Sequence, residues 1–177
     1  MTVPPSPTSW TNGDTITEAG LDATETAINF LRSPPRASLT RSTSNQTIAD
    51  NTNTAVQFNS EAFDSVNGHD TVTNNSRYTA VYDGIYLVTY AIPWVNTSVE
   101  LKTAAWIHKS DGTEFAPCEL YKNTFNVTIS NTGSHPVTLA AGEYVEIYVW
   151  HDKGSNHQID YTQHGGPRMG VLWVSAV

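Results

Sequence analysis

Apolar and polar residues alternate most densely at positions 78–90, in the segment YTAVYDGIYLVTY. Successive side chains of a β-strand point to opposite faces of the sheet, which divides this segment into two sets. One set is Tyr86, Val88 and Tyr90, and the other is Ile85, Leu87 and Thr89. Both sets are largely apolar, whereas a strand on the surface of a solitary chain shows one polar face. The pattern therefore predicts that one face packs on the opposite sheet and that a neighbouring subunit covers the other.

Short segments with strand character recur from position 36 to the end of the chain. We predict strands at 38–41, 55–58, 77–82, 85–95, 100–109, 114–121, 125–130, 135–139, 144–151, 158–162 and 168–175. The breaks between them, such as VNGHD, DG, SDG, NTG and HGGP, contain Gly or Asn, and Gly84 in the DG break is expected to take a positive φ. About ten strands at this spacing predict an all-β sandwich, barrel or jelly roll.

A helical period is found only before the Pro34-Pro35 pair, in TITEAGLDATETAINFLR. Thr17 is the predicted N-cap, and Glu18 complements the helix dipole. The apolar stripe of this helix consists of Leu21, Ile28 and Leu31, widened by Ala27 and Phe30. Because a helix of about fifteen residues is marginally stable alone in water, the stripe must pack on its own domain, on another copy or on a larger assembly.

These patterns divide the chain into two parts. Residues 1–35 form an N-terminal arm followed by the helix, and residues 36–177 form a β-rich knob. The first thirteen or so residues are rich in Pro, Ser and Thr, a composition that predicts no regular structure of its own. Such an arm is loose unless a partner holds it, which suggests a docking role.

The charge balance narrows the classes of partner. Nine Lys and Arg residues against seventeen Asp and Glu give a net charge of −8, so nucleic acid is not an expected partner. The N-terminal MTVPPSPTSW is not a signal peptide, and no run of roughly eighteen apolar residues predicts a membrane span. We therefore expect folding in a cytoplasm and no membrane contact. Cys118 is the single cysteine and is expected to be a small buried apolar residue.

Side chains suited to catalysis are scattered along the sequence. Four of the six histidines lie in the last third, but no pair has the spacing of a zinc site. No D-x-D-x-D run, GxSxG elbow or phosphate loop is present. We therefore expect no catalytic residue, no cofactor and no metal. Four tryptophans lie in predicted strands: Trp94, Trp106, Trp150 and Trp173. We expect them in the core or in an interface, and the alternative is that one or two of them form a sugar-stacking platform.

The segment FNSEAFDSVNGHDTVTNNSRYTAVYDGIYLVTYAI resembles the signature of the globular head of complement C1q, a relative of tumour necrosis factor. The early aromatic, Asn and second aromatic positions correspond to Phe63, Asn74 and Tyr78, and the Gly-x-Tyr-x-apolar-x-Tyr motif corresponds to 84–90. Three later segments of this chain also resemble strands of the same family, namely TAAWIHKSDG, VTLAAGEYVEIYVW and GPRMGVLWVSAV. The resemblance therefore covers positions 36–177. It implies a ten-stranded C1q/TNF-like jelly-roll sandwich that forms a homotrimer.

This resemblance also implies positions for side chains. In the family, one face of the sheet that carries the strand after Gly84 packs at the three-fold axis. The residues then expected at the trimer interface are Ile85, Leu87, Thr89 and Trp173. The opposite set, with Tyr86, Val88 and Tyr90, is expected in the core.

The segment SWTNGDTITEAGLDATETAINFL resembles the opening of many tailed-bacteriophage virion proteins, where a Trp–Gly–(Ile/Val)-Thr segment and a short helix precede a fibre or knob. The resemblance implies a non-enzymatic virion protein, assembled in the host cytoplasm and placed on the particle surface as a capsid decoration, head fibre or minor tail protein. Its partners would be other copies of itself and a major capsid or tail protein. The expected anchor residues are Trp10, Ile16, Leu21, Ile28 and Leu31. The alternative is a tail-associated receptor- or carbohydrate-binding module that contacts a host surface glycan.

Overall fold

The computed structural model describes residue 15 and residues 17–124 and 127–177. Within these residues one α-helix, α1 (Glu18–Arg32), precedes twelve strands. The strands are β1 (Arg36–Thr40), β2 (Gln46–Ile48), β3 (Thr54–Ala55), β4 (Ser60–Asp64), β5 (Arg77–Thr79), β6 (Gly84–Pro93), β7 (Leu101–Lys109), β8 (Glu114–Lys122), β9 (Ser130–Leu139), β10 (Tyr144–His151), β11 (His157–Ile159) and β12 (Arg168–Ser175). A single 3₁₀ turn, Gln163–Gly165, lies before β12.

Two antiparallel sheets pack face to face. The first sheet has the order β4-β1-β12-β6-β9, and the second has the order β3-β10-β7-β8 with β5 also paired to β10. A small third sheet pairs β11 with β2. The buried apolar residues form one continuous cluster between the two main sheets. This arrangement confirms the predicted all-β sandwich.

The inward face of β6 supplies the centre of this core. Tyr86, Val88 and Tyr90 lie on one face, as the alternation predicts, and all three are buried, as the family resemblance implies. The Tyr90 hydroxyl reaches the second sheet, where it lies 2.9 Å from the carbonyl oxygen of Ala105 and 2.6 Å from that of Ala116. Burial raises the pKa of Tyr90, so the hydroxyl stays protonated and can donate. A polar contact therefore joins the sheets inside an apolar layer.

Strand β9 differs from the prediction. The NTG segment at 131–133, predicted to be a break, lies inside one ten-residue strand, and no strand is described at 127–129. A Cβ on Gly133 would lie 2.6 Å from the ring of Tyr90, so this glycine allows a close approach. Asn131 is buried, accepts from Trp94 Nε1 at 2.7 Å and donates to the Cys118 carbonyl at 2.8 Å. Both turn-like residues thus serve packing between sheets.

Strands β2 and β4 were not predicted. Strand β2 has only three residues, and β4 is an edge strand whose side chains do not alternate between buried and exposed. Apolar and polar residues alternate along a strand when one of its faces contacts the core, and β4 has no such face. The sequence pattern therefore does not indicate a strand at either position.

Gly84 has a different role from the expected one. It begins β6 and is not among the residues with positive φ. A Cβ at this position would overlap Nε1 of Trp173 and would lie 2.7 Å from the Ser175 carbonyl oxygen. The Trp173 indole donates to the Asp83 carbonyl at 3.1 Å, which holds the ring against the glycine. Space for the indole, and not backbone conformation, requires glycine here.

We expect Gly84→Ala to lower the free energy of unfolding by about 1–3 kcal/mol, the usual cost of overpacking a filled core. Chemical denaturation measures this change. Gly112→Ala is the comparison for backbone strain alone, because Gly112 has a φ of 88°, which an added Cβ strains, and no atom lies within 4 Å of that Cβ. Part of the loss at position 84, but none of the loss at position 112, should be recovered in a Trp173→Phe background, which lacks Nε1. The absence of recovery at position 84 would contradict the steric explanation.

A buried aromatic cluster lies at one end of the core. The rings of Trp94 and His157 are nearly parallel, with centroids 5.4 Å apart, and the His151 ring is perpendicular to both. Nε2 of His157 has no hydrogen-bond partner among the described residues. Burial lowers the pKa of His157 to about 4, and Lys153, His151 and Lys122 add smaller unfavourable charge interactions. The folded protein therefore keeps this imidazole neutral.

We expect the free energy of unfolding to decrease as the pH is lowered from the unfolded pKa of His157, near 6.5, to its folded pKa, about 4. In that window the unfolded chain binds a proton that the folded chain does not, so lower pH favours unfolding, by at most about 1.4 kcal/mol per pH unit. His157→Phe keeps the ring packing and should flatten this slope. Denaturation at pH 7, 5.5 and 4.5 measures the difference. Identical slopes in the two proteins would contradict the assignment.

Candidate interaction surfaces

The outward face of the first sheet is apolar at its centre. Leu87 on β6 pairs with Leu172 on β12 and with Pro136 on β9, so three apolar side chains form one row across the strands. Phe63 on β4 and Val174 on β12 are exposed on either side of this row. We call this surface the apolar face, defined by Phe63, Leu87, Pro136, Leu172 and Val174.

A groove of about 450 Å³ crosses the apolar face between Phe63, Leu87 and Leu172. Its floor contains small residues, since Gly170 pairs with Thr89 on one side and with Ser38 on the other. A Cβ on Gly170 would lie 2.7 Å from the Thr89 hydroxyl. The glycine therefore keeps the groove open.

Three of the four predicted interface residues lie on this side of the sheet. Ile85 and Leu87 are half-buried and Thr89 is exposed. Whether another copy covers them stays a prediction. Trp173 does not lie there: it is only 5% exposed and belongs to the core cluster. Its neighbours Leu172 and Val174 take the outward positions on β12, because side chains alternate along the strand.

Helix α1 contacts the knob through only part of its apolar stripe. The Thr17 hydroxyl accepts from the Gly20 amide at 3.2 Å, which confirms the predicted N-cap. Ala27 is buried, and Phe30 packs edge-on against Tyr82 and Trp173 with centroids 5.2 and 4.8 Å apart. Phe30 therefore holds the C-terminal end of the helix against the sandwich, and Gly20 near its N-terminal end is buried as well.

The remainder of the stripe faces away from the knob. Leu21, Ile28 and Leu31 are 56%, 46% and 65% exposed, and we call these three residues the helix stripe. The other two predicted anchor residues, Trp10 and Ile16, lie outside the described residues. Among the described residues, this apolar surface of the helix has no partner.

The outward face of the second sheet carries aromatic rings. Trp106 on β7 pairs with Tyr148 on β10, with ring centroids 6.0 Å apart, and His108 lies 4.5 Å from the same tyrosine. Lys102 on β7 pairs with Tyr121 on β8, and its Nζ lies 5.5 Å from that ring and 6.0 Å from the ring of Trp150. We call this surface the aromatic face, defined by Lys102, Trp106, Glu119, Tyr121, Tyr148 and Trp150.

Charged groups lie among these rings. Lys102 Nζ is 2.7 Å from Glu119 Oε2, and this hydrogen bond raises the pKa of Lys102. A groove of about 290 Å³ is lined by Asn53, Lys102, Ala104, Trp106, Glu119 and Trp150. A second groove of about 320 Å³ shares Lys102 and includes Tyr121 and Asp152. The two grooves meet at Lys102 and give the face both stacking surfaces and hydrogen-bonding groups.

The sequence identified only part of the aromatic face. Trp106 and Trp150 were among the tryptophans considered for a sugar platform, while Tyr121, Lys102 and Glu119 were not considered. A usable signal was present in YVEIYVW, where Tyr144, Tyr148 and Trp150 lie on the same side as Glu146. Aromatic residues at positions that alternate with core residues are expected on the outer face of the sheet.

Metal-ligating side chains are dispersed over the part of the chain that the structure describes. Among the residues it describes, no three His, Cys, Asp or Glu side chains come together in a way that could hold a metal ion. No helix within the same residues has the length and apolar content needed to cross a membrane. Trp94 and Trp173, the other two strand tryptophans, belong to the core.

Solved structures identify the fold. The globular domain of zebrafish complement 1qA matches 81% of this chain and 99% of its own, with a TM-score of 0.58 and 14% identity. Murine APRIL at pH 5.0 matches 79% of this chain and 98% of its own, with a TM-score of 0.58 and 12% identity. The Eiger TNF of S. frugiperda matches 80% of this chain and 93% of its own, with a TM-score of 0.54 and 14% identity. These matches confirm the C1q/TNF-like jelly-roll fold.

No protein-family model matches the sequence. No curated protein matches it significantly either. The likeness to complement 1qA, APRIL and Eiger is therefore one of fold, at sequence identities of 12–14%.

Proposed function

We propose that this protein is a non-enzymatic structural protein of a bacteriophage particle, present on the particle surface as a homotrimeric knob. The apolar face of the first sheet is the observation that carries the proposal. Exposure of Phe63, Leu172 and Val174 beside the half-buried Leu87 is costly in water, and covering apolar surface contributes about 25 cal/mol per Å². In the C1q/TNF family the corresponding face packs at the three-fold axis, so other copies of this chain are the proposed cover.

Attachment to the particle is assigned to the N-terminal part of the chain. The helix stripe is exposed next to the Pro-, Ser- and Thr-rich arm, and the resemblance of 9–31 to phage virion proteins supports an anchoring role. The proposed partner is a major capsid protein or a tail protein. A capsid decoration or head fibre is favoured over a tail fibre because the described residues form one helix and a sandwich, without an extended shaft among them.

A second candidate function is recognition of a host receptor or glycan by a tail-associated module. The aromatic face favours it, because aromatic rings beside charged side chains are common in ligand sites. The two functions are compatible, since they use opposite sheets of the sandwich.

We expect Leu87→Asp to abolish the trimer and to yield monomer or aggregate, because it places a charge at a desolvated contact. Light scattering of the purified protein measures the oligomeric state. The matched control is Val72→Asp, which introduces the same charge at an exposed position in a loop before β5. A Leu87→Asp variant that remains a normal trimer would refute the assignment of this face.

We expect the triple variant Leu21→Ser, Ile28→Ser and Leu31→Ser to fold and trimerise normally but to be lost from purified particles. The variant leaves Ala27 and Phe30 in contact with the knob. Its control replaces three exposed polar residues of the same helix by Ser, at Asp22, Glu25 and Asn29. Quantitative mass spectrometry of particles measures incorporation. Incorporation of the stripe variant at the level of the control would overturn the anchoring role.

A further inference from the structure

The aromatic face has two rings that a ligand can reach. Tyr121 is 77% exposed and Trp150 is half-buried, and both lie near Lys102 Nζ. The face of an aromatic ring carries partial negative charge and attracts C–H groups and cations. Here the Lys102 ammonium lies within 6.0 Å of both ring centroids, so the two rings and the cation form one unit.

Hydrogen-bonding groups surround these rings. The Lys102–Glu119 pair, at 2.7 Å, contributes donors and acceptors in the same groove, and Asn53 adds an amide. Trp106 lines that groove and is only 8% exposed, yet its Nε1–H has no acceptor among the described residues. An unpaired buried donor costs free energy, which an incoming oxygen atom would recover.

We infer that the aromatic face binds a neutral saccharide. A pyranose ring has one face of C–H bonds and a rim of hydroxyl groups, which matches exposed aromatic rings beside a Lys–Glu pair and an amide. This inference rests on the recognition role proposed above as the second function, and it gives that role a site and a ligand class. The two grooves, of about 290 and 320 Å³, are each close to the lower limit of small-molecule sites and together accommodate a short oligosaccharide.

The charges on this face favour a neutral ligand over an anionic one. The second sheet carries Glu114, Glu119 and Glu146 outward, against Lys102 and Arg77, and Asp152 lines the second groove. The whole chain has a net charge of −8. Phosphate, sulfate and sialic acid groups would be repelled at such a surface, because like charges disfavour association.

The geometry of the sandwich makes this site compatible with assembly. The aromatic face belongs to the second sheet and the apolar face to the first, so a trimer formed through the apolar face leaves the aromatic face open. Three equivalent sites on one knob would raise the avidity for a repeated glycan even if each site alone binds weakly.

The experiment applies the full-length protein to an array of neutral hexose and N-acetylhexosamine oligosaccharides beside sialylated and sulfated ones. The strongest neutral glycan is then titrated by calorimetry. We expect binding to neutral glycans only, with affinity lowered at least tenfold in Trp150→Ala and in Tyr121→Ala. Tyr121 is exposed, so its replacement leaves the fold intact. The matched control is Tyr144→Ala, on the same face of β10 but outside the lining of both grooves, which should bind as the wild type does.

A further variant separates a saccharide from an apolar protein partner. Lys102→Met together with Glu119→Gln removes the charged pair and keeps the rings, so saccharide binding should fall at least tenfold. Unchanged binding in this double variant, a preference for sialylated or sulfated glycans, or no binding of any neutral glycan by the wild-type protein would overturn the inference. Failure here leaves the trimer and the anchor untouched, because light scattering and particle incorporation measure those separately.

Discussion

Strand β6 has two apolar faces, and the described residues of its own chain bury only one of them completely. Its inward side chains are completely packed, and Tyr90 reaches across the core to carbonyl oxygens on β7 and β8. The strand is paired on both edges, with β12 and with β9, so its position is fixed by backbone hydrogen bonds as well as by packing. The outward side chains therefore cannot turn inward to escape water. The proposed trimer depends on this constraint.

The sequence predicted the sandwich well because β-strand alternation is a local property. Period two alone placed Tyr86, Val88 and Tyr90 on one face, the family resemblance assigned that face to the core, and the structure confirms both. Strand β12 shows where this reasoning fails. One face of β12 carries Val171 and Trp173, and the other carries Leu172 and Val174. Because both pairs are apolar, periodicity does not show which pair faces the core. The choice depends on contacts with Phe30 and Gly84, which lie far away in the sequence.

Glycine and asparagine were read as turn residues where their role is packing. Gly133 and Gly84 both lie in strands, and each leaves room for an aromatic ring from another part of the chain. Asn131 supplies a buried amide to a tryptophan on one side and a carbonyl on the other. Turn propensity describes a residue in isolation, whereas these positions are selected by neighbours that only strand register brings close. The same limit applied to the aromatic face, whose Lys102, Tyr121 and Trp150 come from three strands.

The two outer faces of the sandwich differ in a way that suits separate tasks. The apolar face has small residues and a groove at its centre, with Arg36 and Arg168 at strand ends, which favours close packing of large surfaces. On the aromatic face, each exposed ring lies beside a charged or amide group, which is a poor surface for burial against another protein because those groups would lose their water. Desolvation therefore favours the first sheet for the proposed self-association and the second sheet for a ligand that brings its own hydroxyl groups.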